Sequence, residues 1–201
     1  MKERIEQILK AEADAIGNIP VDEAYVKVID LLYDHVHKRR GKLIASGMGK
    51  AGQIAISITT TFSSTGTPAV FLHPSDSQHG DLGIIQDEDV LLLISNSGKT
   101  REILELFQLA KNLNSKIPVI VITGSPGSPL SELADIVIYT GHPEEVCPLG
   151  LTPTTSTSVM AVIGDVLVVL MMEKIRFSRE EYAKRHHGGY LGLKSRLGTV
   201  S

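Results

Sequence analysis

The spacing of hydrophobic residues divides the chain into a helical first part and a mixed part that follows it. Over residues 1–40 the apolar side chains recur every three or four positions, as in amphipathic helices, and Gly17 and Pro20 interrupt the period. We predict two helices here that pack on the core of the domain. From Gly41 onward, short runs rich in Val and Ile predict five strands: KLIAS, PAVFLH, DVLLLIS, PVIVIT and ADIVIYT.

The five predicted strands favour a parallel sheet with helices on both faces. Their hydrophobic character is continuous rather than alternating, which is typical of strands that are buried on both sides. Right-handed crossovers then place every strand-to-helix turn at one edge of the sheet. The predicted fold is an α/β, three-layer α/β/α sandwich of the flavodoxin/Rossmann-like kind, with a five-stranded parallel sheet and one domain over residues 1–201.

Composition and charge narrow the classes of protein to which the chain can belong. The 201 residues include 20 Lys and Arg against 23 Asp and Glu, and this net charge of -3 argues against a nucleic-acid partner. The lone cysteine, Cys147, cannot form an internal disulfide, and the charged start MKERIEQILK lacks the pattern of a signal peptide, so we expect a cytoplasmic protein. The apolar run over residues 159–172 is shorter than a bilayer span and contains Gly164 and Asp165. We predict that it is a buried helix and that the protein has no membrane partner.

Three predicted turns at helix starts are rich in hydroxyl groups or glycine: residues 46–50, 95–100 and 154–158. Backbone N–H groups and the positive end of the helix dipole converge at such a start and form an anion site, for which a phosphate is a natural ligand. A single Ser or Thr there is equally typical of an ordinary helix N-cap. The loop SNSGKT offers more hydroxyl groups than one cap requires, which favours phosphate binding by that loop.

The first of these turns also matches a dinucleotide-binding fingerprint, through Gly47, Gly49 and Gly52. An NAD-dependent oxidoreductase is therefore an alternative, but that site needs an acidic residue at the end of the next strand. The next strand ends at His73, and the nearest acid, Asp76, lies beyond a proline. The P-loop pattern of nucleotide-binding proteins does not occur in the sequence.

Five ionisable side chains are candidates for chemistry. Lys50 places a cation at a predicted helix start, where it opposes the dipole, although an exposed solubilising lysine is the alternative. Glu145 falls just past the fifth strand, at the edge where the turns meet. Glu102 lies in the first turn of the helix after SNSG, where compensation of the dipole also explains it. His73 and His79 suggest a metal, but no third ligand occurs at a familiar spacing, so we expect no metal site.

Several segments, in this order, resemble the sugar isomerase (SIS) domain and, within it, the arabinose 5-phosphate isomerases of the 3-deoxy-manno-octulosonate pathway: SGMGKAG, TTTFSSTGTP, FLHPSDSQHGDLG, ISNSGKT, CPLGLTPTTSTS and HHGGYLG. They run from about residue 42 to residue 192. The SNSG element is generic to sugar-phosphate domains, whereas HGDLG and CPLGL-P are far more specific. The resemblance implies a homotetramer that interconverts D-ribulose 5-phosphate and D-arabinose 5-phosphate without a cofactor, for lipopolysaccharide or capsule synthesis. Many members also carry a pair of CBS modules, and we expect the short, single-domain form that lacks them.

The resemblance assigns roles to particular residues. It implies four catalytic groups at Lys50, Glu102, Glu145 and His186. It also carries over Gly66, Thr67, His73 and His79, and together with the turns this gives the predicted substrate-binding set: Ser46, Gly47, Gly49, Gly66, Thr67, His73, His79, Ser95, Asn96, Ser97, Thr100 and Ser156. Three positions depart from the family's pattern, at Lys99, Val146 and His187.

These residues support a hypothesis of isomerisation through an enediolate. The loop 95–100 would hold the phosphate, Lys50 would face the enediolate oxygen and Glu145 would act as the carbon base. His186 or His79 would pass protons between oxygens, while Glu102 would orient Lys50 or a hydroxyl. His186 lies near the far end of the chain, so we expect it to act in a neighbouring subunit's site.

Other functions remain open at this point. An isomerase of another phosphosugar fits equally well, because phosphate loops do not read sugar stereochemistry. A non-catalytic sugar-phosphate sensor would share the loops, but it would not need Lys50, Glu145 and His186 together. The NAD-dependent reductase ranks below both, since its acidic residue is missing.

Overall fold

The structure is a computed structural model that describes residues 1–197, with side chains as far as residue 195. Its helices are α1 (Lys2–Gly17), α2 (Ala24–Leu32), α3 (Gly49–Ser64), α4 (Pro74–Ser77), α5 (Arg101–Leu113), α6 (Pro129–Leu133), α7 (Thr155–Lys174), α8 (Arg179–Arg185) and α9 (Gly189–Leu197). A π-helical turn (Tyr33–Lys38) follows α2, and a 3-10 turn (Asp81–Ile84) follows α4. The strands are β1 (Leu43–Gly47), β2 (Ala69–Phe71), β3 (Val90–Ile94), β4 (Val119–Thr123) and β5 (Ile136–Tyr139).

The five strands form one parallel sheet in the order β2-β1-β3-β4-β5. Every residue of β1, β3 and β4 is buried, which explains why their sequences are continuously apolar. The predicted α/β/α sandwich with a five-stranded parallel sheet is thus confirmed. The chain order reverses between β1 and β3, and such a switch point opens a crevice at the carboxyl ends of the strands.

Helices cover both faces of the sheet, each with its own hydrophobic core. On one face α2, α3 and α7 pack against alternate strand residues such as Leu43 and Ala45. On the other face α5 and Leu130 of α6 pack against the intervening residues, among them Ile44. Because successive strand residues point to opposite faces, the one sheet separates the two cores.

The two N-terminal helices are attached in different ways. Four residues of α2 are buried in the first core: Tyr25, Val28, Ile29 and Leu32. Helix α1 buries none of its residues and lies against α7 through polar and partly exposed side chains. Ile5 and Leu9 remain 50% and 64% exposed. An apolar surface on α1 is therefore left uncovered within this chain.

The apolar run predicted as a buried helix forms most of α7. By length and apolar composition alone, α7 could cross a membrane, but half of its most apolar window is buried inside the domain. It packs on α3 so closely that Gly164 lies against the side chain of Ile58. This packing is that of a core helix, although Val166 and Val169 on its outer side remain exposed.

We expect Gly164→Ala to destabilise the fold. A Cβ at this position would lie 2.4 Å from Cγ1 of Ile58, well inside van der Waals contact. Overpacking of this kind costs about 1–3 kcal/mol, against the gain of up to about 1 kcal/mol that alanine brings to a helix interior. The free energy of unfolding from urea titration should therefore fall. Gly17→Ala is the matched control, because no atom lies within 4 Å of its Cβ position. Equal stability of the two variants would contradict the packing described for α3 and α7.

Candidate active site

A cavity of about 660 Å³ opens at the carboxyl edge of the sheet. It is lined by turns that follow β1, β3, β4 and β5 and by the start of α7, so it lies across the switch point. The lining includes Met48, Lys50, Ser95, Asn96, Ser97, Thr100, Ser125, His142, Glu144, Glu145, Leu151, Ser156 and Met160. Three helices, α3, α5 and α7, begin at this cavity. Their positive dipole ends point toward it, which favours an anionic ligand.

The glycines of the turn after β1 serve the packing of β1 on α3. A Cβ on Gly47 would lie 2.7 Å from the backbone of Ala51, and one on Gly52 would lie 2.7 Å from the Gly47 carbonyl oxygen. Gly49 has a φ of +57°, which favours glycine. The tight turn therefore has a structural cause, which removes the main support for a dinucleotide site.

Lys50 and Ser46 lie on this same turn but face different surroundings. Lys50 lines the cavity with an exposed side chain, and among residues 1–195 no carboxylate pairs with it. Ser46 is fully buried, and its hydroxyl donates to the Leu72 carbonyl at 2.6 Å. Lys50 is thus available to a ligand, whereas Ser46 joins the ends of β1 and β2 outside the cavity.

The SNSG loop after β3 is held by its own hydroxyl groups. Ser95 Oγ and Thr100 Oγ1 are 2.8 Å apart, and Ser95 Oγ also accepts from the backbone N–H of Gly98 at 3.2 Å. Ser97 Oγ accepts from the N–H of Lys99 at 3.2 Å. Thr100 precedes α5 as its N-cap, but its hydroxyl does not cap the helix. The start of α5 therefore keeps N–H groups for a ligand.

The neighbouring strand β4 fixes the position of this loop. The carbonyl oxygen of Asn96 accepts from the Gly124 N–H at 3.1 Å and from the hydroxyls of Thr123 and Ser125 at 3.2 and 3.0 Å. Gly98 has a φ of +60°, and a Cβ there would lie 2.0 Å from Ser128 Oγ. The loop thus has little freedom to move.

The carboxylate of Glu145 lies at the start of α7. Its Oε2 accepts from the backbone N–H and the hydroxyl of Thr154 at 2.6 and 2.8 Å, and from the N–H of Ser156 at 3.3 Å. The hydroxyl of Ser156 donates to Oε1. Glu145 thus occupies the third predicted anion site with one of the protein's own carboxylates, and Ser156 binds Glu145 within this chain.

These hydrogen bonds determine the charge of Glu145. Burial alone would raise the pKa of Glu145, but the hydrogen bonds from Ser156 and Thr154 outweigh burial and hold the pKa below its usual value. The group is therefore a carboxylate at neutral pH. Because the folded-state pKa is the lower one, Glu145 stabilises the fold above the unfolded pKa of about 4.3, and this stabilisation is lost as pH falls through the folded value.

His142 is a cavity residue that no sequence pattern singled out. It follows β5 with a φ of +53°, which is unusual for a residue other than glycine. Its Nδ1 lies 3.0 Å from the Gly124 carbonyl oxygen, so that nitrogen carries the proton and donates it. No motif surrounds His142 in the sequence. Only its position beside β4 brings it to the cavity.

Gly66 and Thr67 lie at the amino ends of the strands, on the side of the sheet opposite the cavity. Both precede β2, and the Thr67 hydroxyl is 3.0 Å from Nε2 of His37. Gly66 has a φ of +93°, and a Cβ there would lie 2.9 Å from the ring of Phe177. Within one chain, these two residues do not join the other predicted substrate-binding groups.

Four further predicted site residues lie outside the lining of this cavity: Glu102, His73, His79 and His186. Glu102 is half-buried in the first turn of α5. His186 ends α8, where its ring stacks on Tyr182 at 3.7 Å between ring centroids. The structure of one chain therefore brings together Lys50, the loop 95–100 and Glu145, and leaves these four apart.

Metal ligands are not assembled in the described part of the chain. Over residues 1–195, no group of three or more His, Cys, Asp or Glu side chains is placed to hold a metal ion. His73 Nδ1 lies 3.6 Å from a carboxylate oxygen of Asp76. His79 is exposed, and its backbone N–H donates to the Asp76 carbonyl oxygen at 2.9 Å.

The cavity therefore combines three chemical capacities. Helix starts and the rigid SNSG loop provide backbone N–H groups suited to an anion, Lys50 provides a cation, and Glu145 provides an ionised carboxylate. A carboxylate and a cation that line one cavity are suited to act together: the carboxylate removes a proton from carbon, and the cation stabilises the resulting oxyanion.

Comparison with known proteins gives the family. The sequence profile of the SIS domain matches residues 36–170. The arabinose 5-phosphate isomerase KdsD of Yersinia pestis is 40% identical over 190 residues, which is 94% of this chain and 56% of that protein. KdsD of Pseudomonas aeruginosa is 40% identical over 185 residues, covering 91% of this chain and 55% of that protein. The chain thus spans somewhat more than half the length of these curated relatives.

Solved structures agree with the sequence comparison. A Bacteroides fragilis protein, described as a phosphosugar isomerase involved in capsule formation, is 63% identical with a TM-score of 0.93, covering 94% of this chain and 99% of that one. An Escherichia coli CFT073 protein in complex with arabinose 5-phosphate is 34% identical with a TM-score of 0.84, covering 90% of this chain and 95% of that one. With the fold, the sequence relatives and the family profile in agreement, the chain belongs to the SIS-domain family.

Proposed function

We propose that this chain is an aldose–ketose isomerase that interconverts D-ribulose 5-phosphate and D-arabinose 5-phosphate. The observation that carries the proposal is the meeting of the loop 95–100, Lys50 and Glu145 in one cavity. The curated relatives bear the name of this activity, and the Escherichia coli CFT073 structure holds arabinose 5-phosphate. We propose further that the reaction needs no cofactor.

The phosphate would bind at the start of α5. Hydrogen bonds from Thr123 and Ser125, at the end of β4, hold the loop 95–100, so the backbone N–H groups at this helix start are already positioned for the phosphate. A protein with a net charge of -3 has no overall positive field for a phosphate, and binding must therefore rely on such local groups. Binding energy from the phosphate would hold the reacting carbons at the other side of the cavity.

Glu145 would move a proton between two substrate carbons, and Lys50 would stabilise the charge that develops on the neighbouring oxygen. Oε2 of Glu145 accepts three hydrogen bonds but Oε1 accepts one, so Oε1 keeps a lone pair for a proton from carbon. As Glu145 removes the proton next to the carbonyl, the C–H electrons form the enediolate double bond and the carbonyl oxygen gains charge. Lys50 would stabilise that charge. Two proton movements would then complete the exchange: the hydroxyl proton passes from the oxygen that becomes the new carbonyl to the oxygen that becomes the new hydroxyl, and Glu145 returns the carbon-bound proton to the adjacent carbon.

We propose that the working enzyme is a homotetramer with shared sites. His186, Glu102, His73 and His79 do not line the cavity of their own chain, and a neighbouring subunit offers a way for some of them to reach a site. The exposed apolar residues of α1 and the outer side of α7 support an assembly that would cover them. In such a tetramer His186 would pass protons between substrate oxygens, and Glu102 would orient Lys50 or a hydroxyl.

The product would feed 3-deoxy-manno-octulosonate synthesis in the cytoplasm, for lipopolysaccharide or capsule. The Bacteroides fragilis neighbour, whose description mentions capsule formation, supports this setting. An isomerase of another phosphosugar is the competing function. Both isomerase functions would use the same phosphate site, so activity on a panel of five-, six- and seven-carbon sugar phosphates distinguishes between the two functions.

Purified protein should convert ribulose 5-phosphate to arabinose 5-phosphate in the presence of a chelator. Glu145→Gln should reduce kcat by about two to four orders of magnitude while KM changes little, because it removes the base but keeps the acceptor oxygen. Product formation is measured by chromatography of the sugar phosphates. Glu173→Gln, at the exposed end of α7, is the matched control and should retain the wild-type rate.

Two results would contradict these proposals separately. Well-folded wild-type protein that turns over another sugar phosphate but not ribulose 5-phosphate would reassign the substrate. A Glu145→Gln variant with a near-normal rate would remove Glu145 from the role of base while leaving the isomerase assignment intact.

Shared sites predict complementation between inactive variants. Glu145→Gln and His186→Ala should each be nearly inactive alone, because each spoils every site. Mixed and co-refolded, they should recover activity, since some sites then combine an intact Glu145 from one subunit with an intact His186 from another. The rate is measured before and after subunit exchange. Absence of recovery in mixed oligomers confirmed by mass spectrometry would place both residues in the site of a single chain.

A further inference from the structure

Glu12 of α1 reaches the start of α7, behind the candidate site. Its Oε1 accepts a hydrogen bond from the Thr155 hydroxyl at 2.9 Å. Its Oε2 is buried, and no described residue donates to it. A buried carboxylate oxygen without a partner is unfavourable, so its presence calls for a reason other than stability.

Thr155 connects Glu12 to the backbone beside Glu145. A threonine hydroxyl has one hydrogen, and Glu12 accepts it, which leaves the Thr155 Oγ1 lone pairs for another donor. That donor is the backbone N–H of Val146, at 3.2 Å. This N–H belongs to the peptide unit between Glu145 and Val146. One hydroxyl therefore links the carboxylate of Glu12 to the peptide that carries Glu145.

The first turn of α7 thus holds Glu145 in two ways. Thr154 and Ser156 bind its carboxylate, and Thr155, between them and only 1% exposed, binds its backbone through Val146. Helix α1 also contacts Val146 directly, because the guanidinium of Arg4 donates to the Val146 carbonyl oxygen at 3.4 Å. The direction in which the Glu145 side chain leaves the backbone depends on this peptide.

We propose that Glu12 is a positioning residue, which fixes the Glu145–Val146 peptide through Thr155 and thereby aims the Glu145 carboxylate into the cavity. This inference rests on the proposed function, since it takes Glu145 as the base. Glu12 does not line the cavity, and the substrate phosphate is held by a loop on another strand. Loss of Glu12 should therefore lower kcat and leave KM nearly unchanged.

Glu12→Met tests the proposal, because methionine has similar length but only a weakly accepting sulfur in place of the carboxylate oxygens. Its kcat should fall by about tenfold to a hundredfold, the effect of a misplacement of up to about 1 Å, with KM within about threefold of wild type. Its melting temperature should be equal or higher, because a buried unpartnered carboxylate is removed. Glu12→Gln keeps an acceptor for Thr155 and should retain most of the rate. A purely structural glutamate would instead lower stability and leave kcat unchanged.

The hydroxyl of Thr155 is tested by a double-mutant cycle. Thr155→Val should reproduce the loss of kcat. The kcat of the double variant Glu12→Met/Thr155→Val should then be no lower than that of the less active single variant. Losses that multiply would overturn the proposed connection. Glu6→Gln is the matched control, because Glu6 is an exposed glutamate on the same helix that pairs with Lys2.

Cys147 gives a readout that does not depend on enzymatic activity. Hydrogen bonds from Thr152 and from the backbone N–H groups of Leu151 and Leu149 lower the pKa of the Cys147 thiol to about 6. Cys147 follows Val146, so a relaxed 145–146 peptide should disturb these bonds. The pH midpoint of Cys147 alkylation by iodoacetamide should then rise in Glu12→Met, toward the free-thiol value of about 8.5, and stay near 6 in Glu6→Gln.

The two readouts distinguish failure of this inference from failure of the proposed function. If the wild-type protein turns over no sugar phosphate, the proposed function fails, and the alkylation midpoint still decides whether Glu12 positions the segment. A wild-type midpoint in folded Glu12→Met overturns the positioning role. A wild-type kcat in that variant, with active wild-type protein as reference, overturns it as well.

Discussion

The hydrogen bonds between the Glu145 carboxylate and the first turn of α7 are the interaction on which the candidate site depends. They neutralise the positive end of a 20-residue helix, hold Glu145 ionised and attach the segment after β5 to the core. Without them, the start of α7 would present unpaired N–H groups to the cavity. The same contact thus serves helix capping and places a carboxylate at the carboxyl edge of the sheet.

Most hydroxyl groups around the cavity are already used by the protein. Ser95 binds Thr100, Ser97 binds the backbone of Lys99, and Ser156 binds Glu145. What remains for an anionic ligand is the start of α5, the ammonium group of Lys50 and the hydroxyl hydrogen of Ser97, because Ser97 Oγ only accepts in its bond with Lys99. In the proposed phosphate site of this protein of net negative charge, the hydroxyls would make the loop rigid, and the helix start would supply the attraction.

The fold could be derived from the sequence because its main determinants are local. Continuous Val- and Ile-rich runs separated by helical segments have few solutions other than a covered parallel sheet, and β1, β3 and β4 are fully buried as their patterns require. The positions of Lys50 and the loop 95–100 could also be predicted from the sequence, since the turns that follow parallel strands lie together at the carboxyl ends of the sheet. The glycine fingerprint was ambiguous, because Gly47 and Gly52 meet a packing requirement that a nucleotide site shares.

The sequence by itself determined the sheet, its covering helices and the edge at which chemistry is expected, because hydrophobic periodicity and crossover handedness act over short stretches of chain. Only the tertiary structure decided which residues meet. It brought His142 to the cavity through Gly124, placed Gly66 and Thr67 at the amino ends of the strands and joined Glu12 to the peptide of Glu145 across more than 130 residues of chain. Such contacts depend on the packing of elements far apart in the sequence, and side-chain hydrogen bonds between them leave no periodic signal along the chain.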